Sequence, residues 1–256
     1  MSHHDIARAR AYVGSLDLPL QGPRFEAVDE AEGAVEFTAA PQAVVIGAQL
    51  AEFTPRVSAD TRSAVADSLL IAQLAANKAA SSAGDVFAWY GKYVEVLQNL
   101  GWLVTEMEFK EQQVADRNAG LHTAIIPVVT AMLAPGAALL PMVLSALNGL
   151  HEMDASSKWI TTFDRASQHA HGAKFQLSHV DADADGNLTI AVMCFGIDTQ
   201  RTVTQVLFFK FAEESAGLKS ANGSLSMTLQ QLAAARTEIA ARVRPFVADF
   251  VKSLDI

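Results

Sequence analysis

Residues 188–197, Leu-Thr-Ile-Ala-Val-Met-Cys-Phe-Gly-Ile, are the part of the sequence that decides the fold class. The run contains β-branched and aromatic residues, and it is apolar at nearly every position rather than at alternate ones. A strand of this kind lies in the middle of a sheet that is covered on both faces. Asp185-Gly186-Asn187, just before it, predicts a hairpin to an earlier strand at 174–180.

Further strands are predicted on both sides of this one. Residues 202–212 are again apolar on both faces, and 223–227 form a short fourth strand of an antiparallel sheet that spans 174–227. Nearer the N-terminus, residues 34–38 and 43–53 have the composition of strands.

Helical periodicity occupies much of the remaining chain. We predict long helices over about 58–80, 85–115 and 228–254, where apolar residues recur every three or four positions. The last helix begins with Thr228 and Gln231, which have the spacing of a capping box.

Residues 118–151 contain no Asp, Glu, Lys or Arg. A membrane-spanning helix needs about 20 consecutive apolar residues, and three prolines cut this run into shorter pieces. These are Pro127, Pro135 and Pro141. We therefore predict a buried helical hairpin over 121–150, followed by helical structure to about Ser167.

No repeat or Gly/Ser-rich linker divides the chain. We predict a single intercalated α+β domain over residues 1–256, in which long helices and the uncharged hairpin pack on the antiparallel sheet. Residues 1–32 are rich in turn-forming residues, and we expect an irregular N-terminal region there.

The composition excludes several classes of protein. Half of the 256 residues are apolar, which excludes a disordered chain. Lys and Arg number 19 against 28 Asp and Glu, so a nucleic-acid partner is not expected. The N-terminus lacks the apolar run of a signal peptide. We expect a protein that is cytoplasmic at synthesis, with signal-independent secretion or membrane association left open.

The chain lacks the sequence signatures of common enzymes. It contains no G-x-S-x-G nucleophile elbow, no G-x-G-x-x-G and no phosphate-cradling loop. We predict no catalytic residues and no cofactor, apart from a covalent fatty acid considered below.

Two groups of residues suggest a metal site without completing one. Asp181, Asp183 and Asp185 begin like a calcium loop, but Val192 stands where that loop needs glutamate. A polar hairpin turn is the simpler interpretation. Four histidines also lack zinc-site spacing, and no metal is predicted. They are His151, His169, His171 and His179.

Cys194 is the only cysteine. Alternation along its strand places it on one face with Ile190, Val192 and Gly196. Residue features favour a small buried hydrophobe, and apolar surroundings would raise the thiol pKa and suppress thiolate catalysis. The alternative is attachment of a fatty-acyl chain, for which Gly196 would leave room.

The order of these elements resembles that of the Evf-like bacterial virulence factors. The shared features, over about residues 43–254, are a long aromatic helix containing Trp89-Tyr90, the proline-broken hairpin, strands holding one cysteine, and a closing helix. The resemblance implies a fatty acid such as palmitate linked to Cys194 in a buried slot. It also implies that the hairpin lines this slot, through Val129, Leu133 and Leu140.

We therefore expect a non-catalytic virulence or toxin-like factor that binds a fatty-acyl chain or membrane lipid and associates with membranes. Two alternatives stay open. One is a homo-oligomeric interaction protein whose broad apolar helix faces are buried in a homodimer. The other is a thiol acyltransferase that uses Cys194 with a histidine.

Overall fold

A β-sheet lies between two layers of helices in the computed structural model of this protein. The structure describes residues 3–19, 35–80, 86–105, 107–114, 118, 120–132, 141–169, 172–199, 203, 205–211 and 216–254. The helices of this described part are α1 (His3–Ser15), α2 (Ala59–Ala79), α3 (Val86–Asn99), α4 (Leu121–Met132), α5 (Pro141–Gly149), α6 (Lys158–Ser167) and α7 (Leu229–Phe250), with a 3-10 turn at Leu150–Glu152.

The strands run in the order β3-β8-β7-β6-β2-β1-β9, with β4 also beside β8 and β5 beside β6. They are β1 (Gln42–Ile46), β2 (Gln49–Phe53), β3 (Leu103–Val104), β4 (Lys110–Gln112), β5 (Gln168–His169), β6 (Gly172–Ala182), β7 (Asn187–Asp198), β8 (Gly217–Thr228) and β9 (Val251–Ser253). The predicted α+β class is confirmed. The sheet is mixed rather than purely antiparallel, because β2 and β6 are parallel and the helices between them supply the crossover.

The predicted hairpin between the two long central strands is confirmed. β6 and β7 pair in antiparallel register along their whole lengths. The turn between them has Gly186 at φ +78°, in the left-handed region that favours glycine. The Oδ1 atom of Asp183 accepts hydrogen bonds from the backbone N–H of Asp185 at 2.9 Å and of Asn187 at 2.8 Å.

β7 is covered on both faces, as its sequence predicts. One face packs under α1, α2, α3 and α7, which we call the first layer, and it presents Ile190, Val192 and Cys194. The other face packs under α4, α5 and α6, the second layer, and it presents Met193, Phe195 and Ile197. Alternate residues of one strand therefore belong to two separate apolar cores.

The predicted strand at 43–53 is a tight hairpin of two strands, and the predicted strand at 34–38 has no ladder over its described residues, 35–38. Gly47 turns the chain with φ +56°, a conformation that sequence periodicity did not reveal. The buried side chain of Gln73 bonds the turn, accepting from the N–H of Ala48 and donating to the carbonyl of Ile46, both at 2.9 Å.

The two long N-terminal helical predictions have different outcomes. α2 begins after Ser58, whose Oγ accepts from the N–H of Thr61, and it closely matches the predicted 58–80. The helix predicted over 85–115 is wrong beyond Asn99, because Gly101 takes φ +103° and ends α3. The chain then turns back to pair with β8.

The chain ends also differ from prediction. Part of residues 1–32, expected to be irregular, forms α1, whose Ala9 and Val13 pack into the first layer together with Leu16, the residue after the helix. The apolar spacing of four and three along residues 9–16 was a usable signal of a helix. The closing helix has its predicted capping box but ends at Phe250, after which β9 pairs with β1.

The predicted strand at 202–212 is wrong. Its described residues, 203 and 205–211, form turns packed in the second layer, except for a single bridge at Lys210. The position beside β7 is taken by β8 instead. Oδ1 of the buried Asp164 in α6 anchors these turns, accepting from the N–H of Val206 at 3.0 Å and of Leu207 at 3.4 Å.

Asp164 gives the first testable prediction. Burial raises the pKa of this carboxyl from 3.8 to about 6, partly offset by the two N–H donors. The folded state therefore binds this proton more tightly than the unfolded state does. The protonated Asp164 contributes its full share to the free energy of unfolding below pH 4, and that contribution is lost as the pH rises through 6. Asp164→Asn keeps the acceptor without charge. It should raise the free energy of unfolding by about 1–3 kcal/mol at pH 7.5 and change it little at pH 4, measured by urea denaturation. An equal change in the free energy of unfolding at both pH values would contradict this account.

The predicted uncharged hairpin appears as α4 and α5, with residues 133–140 outside the described part. Val129, Val143 and Leu147 are buried against the sheet. α4 has 12 residues and α5 has 9. Within the described residues, no helix combines the length and apolarity needed to cross a bilayer.

Candidate functional site

Cys194 lies at the centre of the sheet on the face of the first layer. Its side chain is completely buried, and its Sγ is 3.8 Å from the Sδ of Met107. Burial raises the pKa of the Cys194 thiol well above its ordinary value, because the charged thiolate would lose its hydration. The thiol is therefore neutral at physiological pH.

A groove opens between α3 and residues 104–105 and 107–109, which we call the arch, and the Met107 of its wall contacts the Cys194 thiol. Its cavity volume is about 440 Å³, within the range of about 300–1,000 Å³ usual for ligand pockets. The wall from α3 consists of Phe87, Tyr90, Gly91, Val94 and Gln98. The described part of the arch contributes Val104, Thr105, Met107 and Phe109.

The arch exists because the chain leaves the edge of the sheet and returns to it. β3 and β4 both pair with β8, but at separate places along that strand. Between them, the N–H of Thr105 donates to the carbonyl of Ser224 at 3.0 Å. Met107 then turns inward over Gly223, where an added Cβ would lie 2.8 Å from the Met107 Cγ. Because Gly223 has no side chain, Met107 can pack over it and contact Cys194.

The structure divides the residues predicted to line the lipid slot. Ile190 and Val192 share the core of Cys194, but the space beside Gly196 is filled by Val86 and Phe87, 3.2 Å and 3.5 Å from a Cβ placed there. Room for an acyl chain at Gly196 is therefore not found.

The hairpin is separated from the cysteine. Val129 belongs to the apolar core of the second layer, on the other face of the sheet from Cys194. Leu133 and Leu140 lie outside the described residues. The described residues therefore do not bring Val129 and Cys194 together, because they belong to the cores on opposite faces of the sheet.

Sequence reasoning missed a set of buried polar side chains around Cys194. The hydroxyl of Tyr90, whose ring lines the groove, lies 2.8 Å from the carbonyl oxygens of both Phe175 and Phe195 and can donate to either. Burial, reinforced by the neighbouring Cys194, raises the pKa of Tyr90 well above its ordinary value. Tyr90 thus joins the groove to the backbone of the two central strands.

Further polar side chains follow β6 on the same face. The hydroxyl of Tyr93 donates to Gln49 Oε1 at 3.2 Å, and Gln49 Nε2 donates to the Oγ of Ser178 at 2.8 Å. Lys174, Gln176 and Ser178 are all buried. In the sequence these three polar residues recur at every second position. Such alternation usually indicates a strand with one face exposed to solvent, so it did not predict a buried polar row.

Lys174 is a buried cation at the end of this row. Its Nζ donates to the carbonyl oxygen of Ala166 at 3.0 Å and lies 4.8 Å from the centre of the Trp89 ring. These contacts place the amine at the carboxyl end of α6, where carbonyl groups need donors. Burial lowers the pKa of Lys174 from 10.5 to about 7.

The acidic turn has a structural use for its carboxylates. Asp181 accepts a hydrogen bond from the hydroxyl of Thr54 at 2.6 Å and pairs with Arg56, while Asp183 bonds the turn. The described residues contain no group of three potential metal ligands among His, Cys, Asp and Glu. The carboxylate of Asp181 therefore ties the start of the turn to the chain after β2.

Of the four histidines considered in the sequence, His179 lies on the opposite face of the sheet from Cys194. His179 is on β6 with its Nδ1 3.2 Å from Glu52 Oε2, and it shares the strand alternation of the second-layer residues Phe175 and Leu177. His169 is in β5, His151 is in the 3-10 turn, and His171 lies outside the described residues. The position of His179 and the raised pKa of Cys194 disfavour a thiol acyltransferase.

Comparison with known proteins finds structural likeness without sequence likeness. No family model and no curated protein sequence matches the chain. A structure described as a delta-endotoxin covers 83% of this chain and 91% of its own, with 9% identity and a TM-score of 0.40. The Evf virulence factor covers 96% of this chain and 91% of its own, with 12% identity and a TM-score of 0.34.

Activated Cyt2Ba from Bacillus thuringiensis subsp. israelensis is another structural neighbour. It covers 55% of this chain and 80% of its own, with 12% identity and a TM-score of 0.31. The weak resemblance to Evf-like virulence factors, indicated by the order of elements in the sequence, is also found in the structure.

Proposed function

We propose that this chain is a non-catalytic protein that binds a fatty-acyl chain in the groove between α3 and the arch. The single observation that carries the proposal is the groove itself, whose wall is largely apolar and includes Met107, the residue that contacts the neutral thiol of Cys194. A virulence or toxin-like role stays a prediction from the Evf resemblance.

The chemistry of the wall supports an alkyl ligand. Phe87, Val94, Val104, Met107 and Phe109 supply apolar surface, whereas the polar Gln98 lies at an exposed position of α3. Each methylene group that leaves water for such a wall gains about 0.8 kcal/mol. Met107 is an unbranched, flexible side chain that can adjust to ligands of different shape.

Gly91 provides a direct test by filling the groove. A Cβ added at Gly91 meets no atom within 4 Å, so Gly91→Phe places a ring at the groove wall without a clash in the core. We expect at least a tenfold loss of affinity for a fluorescent fatty-acid analogue. Gly14→Phe, on α1 and equally free of contacts, is the matched control and should bind like the unchanged protein. Equal binding by both variants, or no binding by the unchanged protein, would reject the proposal.

Covalent attachment at Cys194 is the finer form of this proposal. A thioester would form by acyl transfer from an activated acyl donor to the thiol sulfur, with the donor's thiol leaving. Intact-mass measurement of the purified protein should then show an acyl adduct, which Cys194→Ser would remove. Unmodified protein that still binds the fluorescent analogue would limit the function to non-covalent binding.

Association with membranes is proposed for the outer surface of α4 and α5. Its exposed residues are uncharged, and they include Thr123, Pro127, Thr130, Ser145 and Asn148. A single acyl chain binds a membrane only marginally, so a second contact of this kind is required. Co-sedimentation with phosphatidylcholine vesicles should occur for the unchanged protein and weaken when charges are placed at Thr123 and Thr130. Sedimentation unaffected by these charges would exclude this surface.

A homodimer has less support. Within the described residues, the large apolar side chains that are clearly exposed are Leu103 and Leu229. Stable homodimers bury broad apolar surfaces, and two side chains do not provide one.

A further inference from the structure

Met107 is the more accessible member of a pair of adjacent sulfur-containing side chains. It is partly exposed and lines the groove, and its Sδ lies 3.8 Å from the Sγ of the completely buried Cys194. A thiol must lose its proton before it reacts with a peroxide, and burial raises the pKa of Cys194 well above its ordinary value. A thioether is oxidised without ionisation. A peroxide that enters the groove therefore meets Met107 as the reactive sulfur.

The other methionines whose side chains the structure describes are not part of the groove wall. Met193 and Met227 are only 5% and 4% exposed. Met153 is partly exposed, but it packs against the core of the second layer, on the other face of the sheet. Oxidation follows exposure, so Met107 is the described methionine whose oxidation would act on the groove.

The contacts of Met107 leave little room for an added oxygen atom. Its side chain lies so close over Gly223 that a Cβ placed there would be 2.8 Å from the Met107 Cγ and 3.0 Å from its Cε. Oxidation converts the thioether into a sulfoxide, a polar group that needs a hydrogen-bond donor when it leaves water. The neighbouring Cys194 thiol is only a weak donor. The oxidised side chain is therefore more stable in the water of the groove than against Cys194.

The described contacts of the arch allow such a movement. At its start, the N–H of Thr105 donates to the carbonyl of Ser224 at 3.0 Å, and the N–H of Ser224 donates to the Thr105 Oγ1 at 2.8 Å. At its end, the ring of Phe109 lies 5.0 Å from that of Phe87 and 4.9 Å from that of Tyr90. Met107 lies between these two attachments, so its side chain can turn outward while both ends of the arch stay in place.

We propose that Met107 is an oxidation site, and that its conversion to the sulfoxide by a peroxide weakens ligand binding in the groove. The inference rests on the proposed function, since it concerns regulation of the same groove. In the step, a lone pair of the Met107 Sδ attacks one oxygen of hydrogen peroxide, a sulfur–oxygen bond forms and the oxygen–oxygen bond breaks. The second oxygen leaves as water with both protons, so the sulfur is oxidised and the peroxide is reduced by two electrons.

The sulfoxide opposes the binding of an alkyl chain in two ways. It replaces apolar surface of the groove wall with a group that retains water, and it fills groove space that is free while Met107 packs against Cys194. Methionine sulfoxide reductases convert the sulfoxide back to the thioether, so the change is reversible.

The test treats the protein with hydrogen peroxide and measures both the modification and the binding. Peptide mass spectrometry should show Met107 oxidised at least tenfold faster than the buried Met193 and Met227. The oxidised protein should bind the fluorescent fatty-acid analogue about fivefold more weakly than the untreated protein. Treatment with a methionine sulfoxide reductase should restore the affinity.

Two leucine variants assign the effect to one residue. Met107→Leu removes the sulfur at nearly constant volume, so it should bind the analogue within about twofold of the unchanged protein and lose no affinity after peroxide treatment. Met153→Leu is the matched control in the second layer and should keep the full sensitivity to peroxide.

The outcomes separate this inference from the proposed function. Unchanged affinity after complete oxidation of Met107, or an equal loss of affinity in Met107→Leu, overturns the inference and leaves groove binding intact. Failure of the untreated protein to bind the analogue overturns the proposed function, and regulation of that binding with it. If Met107→Leu does not fold, the peptide masses and the reversal by the reductase on the unchanged protein still decide the point.

Discussion

Val129→Lys should lower the free energy of unfolding by about 3–5 kcal/mol, because it places an ammonium group in the apolar core of the second layer. Val129 is completely buried in α4. A charge in such surroundings loses its hydration, and the helix must shift or unfold to restore it. Urea denaturation followed by circular dichroism measures the effect through the shift of the transition midpoint.

The neighbouring position supplies the control for this substitution. Thr130 is exposed on the same helix, with its hydroxyl donating to the carbonyl of Ile126 at 2.8 Å. Thr130→Lys should therefore change stability by less than about 1 kcal/mol. Similar midpoints for the two lysine variants would show that α4 is not packed on the sheet as described.

Lys174→Met should stabilise the protein by about 2–4 kcal/mol at pH 6, the second large effect. Burial lowers the pKa of this amine from 10.5 to about 7, so the folded state disfavours the charged form. One pKa unit corresponds to about 1.4 kcal/mol, and the gain is reduced by loss of the hydrogen bond to Ala166 and of the contact with Trp89.

The pH dependence gives the sharper test of Lys174. The destabilisation is absent above pH 10.5, where the amine is neutral in both states. It grows as the pH falls and is complete below about 7. The advantage of Lys174→Met should therefore be largest at pH 6 and small at pH 10, in urea denaturation at both values. Lys110→Met, at an exposed position of β4, is the control and should show no such difference. A gain independent of pH would contradict a buried, destabilised ammonium group.

The local elements of this fold could largely be predicted from sequence. Ser58 and Thr228 mark helix starts, and Asp185-Gly186-Asn187 marks a hairpin, because these signals act over three or four residues. The predictions failed where an element ends at a residue with an unusual backbone conformation. Gly47 and Gly101 adopt positive φ values that end elements which apolar periodicity alone would continue.

The strand predicted at 202–212 failed for a different reason. Its residues are as apolar as those of a central strand, and most of them are buried. The hydrogen bonds that hold them come from Asp164 in α6, from Leu121 and His122 at the start of α4, and from the bridge at Lys210. Apolar content predicts burial, whereas the choice between a strand and a packed turn depends on which backbone partners are near.

The candidate site shows the same division most clearly. The sequence alone determined that Cys194 lies in a two-faced central strand and is buried, since the run 188–197 is apolar at almost every position. Which helices cover each face was decided only by the tertiary structure. The helices of the hairpin pack on the sheet face that carries Phe195, whereas α3 and the arch pack on the face that carries Cys194. The physical reason is that strand alternation assigns residues to two faces, but every amphipathic helix offers much the same apolar stripe, so contact between distant segments selects the partner.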